Sequence, residues 1–381
     1  MPEAFRYCQR LWKISGLEMT NRERIIATFK REKIDRIVWQ PRIEHWYNVN
    51  RSRGTLPEEY KNMGLIEIYD DLDASIRYTH DAGPYLKISY HGDVRVKEEW
   101  SSNEIIVKWM APQGELIQRY KRAEFGFSCH LVEYPVKRIE DIKVMEYILR
   151  HKRVEFDYKV YEKAKKILGD RGVVQFWVER SPLQRLILDY MGFENAIYAL
   201  HDYPDRIKRF LRVIEETDNP LYEVIADCPC KFQNFGENID SNLDSPRLYN
   251  EHLLPYYKKR VKQLHQRHKF CHIHMDGLLK TLLPYVNEAG FDGIEAATPL
   301  PQGDVSLEEL KEAIGNTILL DGIPAILFLS HYSYKELEDF TLKVLEIFSP
   351  NLIMGVSDEL PPDGDIKKVK LVSEIVGSFK V

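Results

Sequence analysis

The run HIHMDG (272–277) holds the densest chemistry in the chain. His272, His274 and Asp276 recur at a spacing of two, so in an extended strand all three side chains leave one face. Imidazole and carboxylate are ordinary ligands of divalent metals, zinc among them. His274, Asp276 and Asp358 would form a three-ligand set, with Glu359 and His272 as further candidates. Such a set leaves a coordination position for water or substrate, which a catalytic metal requires. The competing structural reading packs one histidine in the core and has Asp276 cap a helix that begins at Gly277.

Other strand-like runs also end on polar groups. Arg42, Glu44 and His45 follow RIVWQP (36–41), and Glu179 and Arg180 end VVQFWVE (173–179). Glu237 and Asn238 end KFQNFGEN, Glu295 lies in FDGIEAA, Asp321 in NTILLDG, and Asp358 and Glu359 end NLIMGVSDE. Gathered carboxylates repel and raise one another's pKa unless a cation sits among them. Glu237 and Glu295 are therefore expected as metal ligands or acid/base groups. Arg42 is the candidate to grip an anionic part of the substrate, because a guanidinium binds such groups bidentately. Arg42, His45, Trp46, Trp177, Arg180 and Asn238 form the expected substrate-binding set. Against this, Arg42 and Arg180 could pair with neighbouring Glu44 and Glu179, and the tryptophans could be ordinary core.

For these groups to meet, the strands must bring their C-terminal ends together. From residue 139 onward, strand and helix patterns alternate, which indicates parallel βαβ units. Residues 139–168 read as helical, and LLKTLLPYVNEAG reads as a helix stopped by Gly290. Thr20 or Asn21, then Ser245 and Ser306, read as helix N-caps. Counting RIVWQP and the weaker DASIRY (73–78) gives eight strands and predicts a (β/α)8 TIM barrel, with chemistry at the carboxyl ends of the strands. Residues 85–136 alternate apolar and polar between turn residues and predict a β-meander inserted in one barrel spanning 19–381. Residues 1–18 read as an N-terminal extension.

Composition limits the rest. The chain has 381 residues, 54 basic and 59 acidic, and a formal net charge of −5, so no nucleic-acid surface is expected. No run is long and apolar enough for a membrane span, and the N-terminus lacks the apolar core of a secretory signal. Five irregularly spaced cysteines fit a reducing cytoplasm better than a disulfide framework.

Several segments resemble the uroporphyrinogen decarboxylase superfamily: MTNRERIIATFKREKIDRIVWQPR, GFENAIYALHDYPDRIKRFL, GENIDSNLDSPRLYNEHLLPYYKKRVKQLH and HIHMDGLLKTLLPYVNEAGFDGIEA. The likeness runs from about Met19 to the C-terminus and is least over 85–136. It implies the same barrel, commonly dimeric, and one of two chemistries. One is cofactor-free decarboxylation of a porphyrinogen. The other is methyl transfer involving a corrinoid, often with zinc held by one His and two Cys.

Both patterns are altered here. Arg42 matches the first arginine of the decarboxylases' Arg-x-x-x-Arg segment, but Trp46 stands at the second. Their Phe-Ser-Asp segment has no clear counterpart, Asp73 being a loose one. In the methyltransferase pattern His274 matches the histidine, Asp276 takes the place of the first cysteine, and Asp358 or Glu359 that of the second. The expected function is metal-assisted methyl transfer in corrinoid or one-carbon metabolism, with zinc as the metal and a corrinoid supplied by a partner protein. A metal-free decarboxylase and a non-catalytic barrel that binds a corrinoid or its carrier are the alternatives.

Overall fold

The computed structural model describes residues 18–79, 82–123 and 128–381; residues 1–17 of the expected extension, with Cys8, lie outside them. The described strands are, in chain order, β1 (Val38–Trp39), β2 (Leu86–Tyr90), β3 (Arg95–Trp100), β4 (Glu104–Ala111), β5 (Gly114–Arg122), β6 (Cys129–Glu133) and β7 (Lys152–Phe156). Then follow β8 (Gln175–Val178), β9 (Phe232–Phe235), β10 (Phe270–His274), β11 (Gly293–Glu295), β12 (Ile318–Pro324) and β13 (Leu352–Ser357). Seven of them form one curled parallel sheet in the order β1-β13-β12-β11-β10-β9-β8. Helices pack outside it, giving the α/β barrel expected from the alternating pattern.

The gap between β1 and β8 is filled by residues 73–78, the expected second strand. This segment forms no regular ladder. Ser75 N donates to Trp39 O at 2.7 Å, and Ile76 N donates to Arg171 O at 3.0 Å. Side chains supply the rest of the seam: Gln40 Nε2 donates to Ser75 Oγ (2.8 Å), and Arg77 Nε donates to Gln40 Oε1 (2.7 Å). The barrel closes here through buried polar side chains, because β1 is only two residues long.

The barrel interior changes character along its axis. Val38, Val173, Phe232, Ile318, Leu320 and Ile353 form an apolar plug at the N-terminal end. The helix Asn21–Lys30 covers that end with Ile25 and Phe29, with Ile26 packed partly buried beside them. Phe29 meets Phe232 edge-on at 5.0 Å between centroids. Thr20 opens this helix with a reciprocal cap: its Oγ1 accepts from Glu23 N, and Glu23 accepts from Thr20 N. Ser245 and Ser306 cap their helices as read from sequence. Above the plug the inward positions become polar: Gln40, Gln175, Asn234, His272, His274 and Glu295 are all buried.

Three expectations are corrected. KRVEF, within the stretch read as helical, is strand β7, and it pairs antiparallel with β2. The expected 85–136 meander therefore divides: β2 joins β7, while β3-β4-β5-β6 forms a separate antiparallel sheet. The helix expected after HIHMDG is a run of 3-10 turns, Leu283–Ala289, ending at Gly290 with φ of 80°. Its approach is capped by Asp304, which accepts from Leu279 N and Lys280 N, and not by Asp276. No helix among the described residues is long and apolar enough to cross a membrane.

A Cβ placed on Gly172 would lie 2.2 Å from Ile76 O, so the seam tolerates only glycine there. Gly172→Ala should destabilise the fold by about 1–3 kcal/mol in urea unfolding, the usual cost of overpacking against backbone. An unchanged midpoint and slope would count against this account of closure.

Candidate metal centre and its buried charge network

Strand β10 alternates as expected. Cys271, Ile273 and Met275 pack among the helices, while His272 and His274 turn into the barrel. Beside them, β11 ends on Glu295, which is fully buried. Glu295 is the hub of the interior. Its Oε1 accepts from Tyr78 Oη at 2.5 Å and from Arg77 Nη1 at 3.1 Å. Its Oε2 accepts from Asn234 Nδ2 at 2.7 Å and lies 3.2 Å from His272 Nδ1. His274 Nδ1 is 3.6 Å from Oε1.

Arg77 also holds Asp321 bidentately, at 2.6 and 2.8 Å. Alternation along β12 would send Asp321 outward with Leu319 and Ile323. A φ of 85° breaks that alternation and turns the carboxylate to Arg77. Ala296 and Asn238, at neighbouring strand ends, also have positive φ, 62° and 56°. Non-glycine residues held in this region carry strain, which collects at functional sites.

Burial would push Glu295 toward its neutral form, but Arg77 and the two histidines outweigh it and hold the carboxylate well below its ordinary pKa. Burial dominates at Asp321 and raises its pKa despite Arg77. Arg77 itself stays charged, because Asp321 and Glu295 outweigh the cost of its burial.

Toward the mouth of the barrel, His274 Nε2 faces Asp276 Oδ2 at 3.7 Å and Asp358 Oδ1 at 3.8 Å. One ligand atom from each of these three residues falls within 4.8 Å of the others. The expected set is thus brought together from strands distant in sequence. Burial disfavours charge on His274, but Asp276, Glu295 and Asp358 prevail and push its pKa up to about 10. The donor set fits a divalent cation: one imidazole and two carboxylates converge, and the other ring nitrogen, Nδ1, is buried without a hydrogen-bond partner beside Glu295. A histidine ligand steadied by a carboxylate on its far nitrogen is the usual arrangement.

Other expected site residues are placed differently. His272 lies between Gln175 (3.0 Å) and Glu295, away from this set. Arg42 bonds to Asp358 and, at 2.9 Å, to Glu359, so Glu359 is an arginine partner and Arg42 is not free for an anion. Neither Arg42 nor Arg180 pairs with its sequence neighbour. Arg180 holds Asp189 (3.1 Å) and Asn238 (3.0 Å), and Asn238 in turn donates to Asp276 (3.2 Å). Glu237 is fully buried and accepts from Ser181 N and Oγ, both at 2.8 Å; burial raises its pKa to about 7. It holds the turn after β8, apart from the His274 cluster. Trp46 is core, edge-on to Tyr60. His45 is half-buried on the helix Glu44–Arg53. Trp177 is 40% exposed and lies 5.2 Å from Tyr78.

The sequence reading missed Arg77, Tyr78 and Asn234. The signal was present for the first two, which stand at the end of DASIRY, where the strand-end rule places chemistry.

A family model described as uroporphyrinogen decarboxylase (URO-D) matches residues 131–379. Residues 19–130, part of the likeness read from sequence, lie outside that match. No curated protein matches by sequence. Among solved structures, a methyltransferase from Methanosarcina mazei superposes with a TM-score of 0.59 at 12% identity, over 95% of this chain and 99% of that one. A B12-independent methionine synthase from Shewanella sp. W3-18-1, in complex with selenomethionine, gives a TM-score of 0.43 at 10% identity, over 85% of this chain and 89% of its own. The first of these likenesses supports the fold.

Arg77→Met would leave Glu295 and Asp321 buried without their cation. At neutral pH it should cost about 3–5 kcal/mol of unfolding free energy. Glu295 has a depressed folded pKa, so its stabilising contribution is complete above the ordinary carboxylate range and is lost as pH falls below it. The difference between variant and parent should therefore narrow in acid. A difference under about 1 kcal/mol at pH 7, within the range of an exposed pair, would refute the network's importance.

Proposed function

Because the chain belongs to the uroporphyrinogen decarboxylase family, we propose that it is a metal-assisted methyltransferase whose metal, zinc in the first instance, is held by His274, Asp276 and Asp358. The observation that carries this reading is the convergence of those three ligand atoms within 4.8 Å at the C-terminal end of the barrel. Charge supports it. Five carboxylates, Asp276, Glu295, Asp321, Asp358 and Glu359, stand beside three cationic groups, Arg42, Arg77 and protonated His274, so the cluster favours an added cation.

Oxygen ligands in place of thiolates make the site hard, suited to an oxygen-bound methyl group such as a methyl ether or alcohol. A bound divalent cation would supply Lewis acidity, polarising that oxygen as the carbon–oxygen bond breaks. The electron pair stays on the oxygen, which takes a proton from solvent, and the methyl group passes to a nucleophilic acceptor. A reduced corrinoid on a partner protein is the proposed acceptor. Glu295 lies behind His274 at 3.6 Å from Nδ1, so that Nε2, which faces Asp276 and Asp358, would be the nitrogen that holds a cation. Arg42 balances Asp358 and Glu359 and limits the excess of negative charge. Metal-free decarboxylation of a polycarboxylate has less support, since Arg42, Arg77 and Arg180 are each already engaged with carboxylates.

Zinc affinity, measured by competition with a chromophoric chelator, should fall more than about 100-fold in His274→Ala and Asp276→Ala, and about 10- to 100-fold in Glu295→Gln, which acts through His274. Metal must displace the proton of His274, whose pKa is about 10. Affinity should therefore rise by about tenfold per pH unit through the neutral range and level off near that value. Equal zinc affinity in parent and His274→Ala would overturn the proposed centre.

A further inference from the structure

We propose that the cavity between the β-insertion and the barrel seats the body of the substrate, and that this body is a neutral aromatic ring. The cavity has a volume of about 330 Å³. That is near the lower end of small-molecule sites, which run from roughly 300 to 1,000 Å³. Trp177 of β8, Tyr190, and Tyr90 and Trp109 of the insertion supply aromatic walls. Flat aromatic ligands gain from such walls by offset or edge-on packing.

The polar lining argues for a neutral ligand. Arg180 is paired with Asp189 at 3.1 Å, Arg185 with Glu179 at 3.0 Å, and Lys152 with the same Glu179. A charged ligand would have to break one of these pairs, and that leaves a partly buried charge unmatched. Three donors on lining residues remain unused: Arg180 Nε, Arg185 Nε and the indole N–H of Trp109 are buried without an acceptor. These donors are closed off from the cavity itself and would meet a ligand oxygen only if their side chains turned toward it.

Two short links join the cavity to the centre described above. Trp177 packs on Tyr78, whose hydroxyl is held by Glu295. Arg180 reaches Asp276 through Asn238, at 3.0 and 3.2 Å. The lining of the cavity is thus one residue removed from Glu295, through Tyr78, and from Asp276, through Asn238. The assignment of the ring as a methyl-transfer substrate rests on the proposed function; the ligand class rests on the lining alone.

The test uses the full chain, with and without zinc, and 2-methoxyphenol as probe, followed by calorimetry and by saturation-transfer NMR. Benzoate and cyclohexanol serve as charged and non-aromatic controls. Saturable binding of 2-methoxyphenol is expected, at least tenfold tighter than either control. Ile88→Trp fills the mouth of the cavity from a residue 49% exposed on β2, so the fold should survive it. It should weaken the probe at least tenfold while zinc affinity stays unchanged. Probe binding without zinc binding would uphold the pocket and defeat the metal-assisted reading. Zinc binding without saturable probe binding, equal binding of benzoate, or a probe affinity unaffected by Ile88→Trp would overturn the pocket.

Discussion

A guanidinium with no access to water stands between two carboxylates at the centre of the barrel. Arg77 touches both Glu295 and Asp321, and all three side chains are fully buried. Isolated, any of them would be expensive to bury; together, they compensate one another. Much of the polar interior follows from this group. Glu295, held ionised, accepts from Tyr78 and Asn234 and lies against the two histidines. Asp321 adopts a left-handed backbone in order to reach its partner. Arg77 also belongs to the segment that closes the barrel between β1 and β8. Barrel closure and the charge balance of the site therefore depend on the same side chain.

The mouth of the barrel takes its character from residues layered on that group. Asp276, Asp358 and Glu359 add negative charge above a core already carrying Glu295 and Asp321. Arg42 offsets part of it. The remainder is what makes His274 hold its proton so strongly, and the same field would favour a divalent cation. With carboxylates at Asp276 and Asp358, the proposed ligand set would be of the hard kind, better matched to oxygen than to sulfur chemistry.

The sequence made the inward face of HIHMDG legible, because alternation in a buried strand is a strong constraint. It also made Asp358 legible as a distant partner, through the rule that barrel chemistry gathers at strand ends. The strand-end rule succeeded less well for Glu237, whose partner Ser181 lies in a turn that no periodicity marks. Neither arginine takes its sequence neighbour: Arg42 bonds to Asp358 across the barrel mouth, where the ends of β1 and β13 meet, and Arg180 to Asp189 on the helical turn Leu186–Tyr190. Arg77 escaped notice because DASIRY makes few ladder bonds, and because Gln40, Glu295 and Asp321, its partners, belong to other strands. KRVEF was absorbed into a helical reading because a short alternating strand next to an amphipathic helix has too few residues to show its own period. The competing reading of Asp276 as a helix cap fails because Asp304, outside the motif, fills that place.

The join between β1 and β8 has a consequence for motion. Elsewhere around the barrel, neighbouring strands share continuous ladders; at residues 73–78 the closure relies on two backbone bonds and a relay through Gln40 and Ser75. Local opening begins where such cooperative bonding is sparse. Breathing of the barrel should therefore concentrate on one side, like a book along its unbound edge. Amide exchange there would report directly on how tightly the buried guanidinium keeps the two edges together.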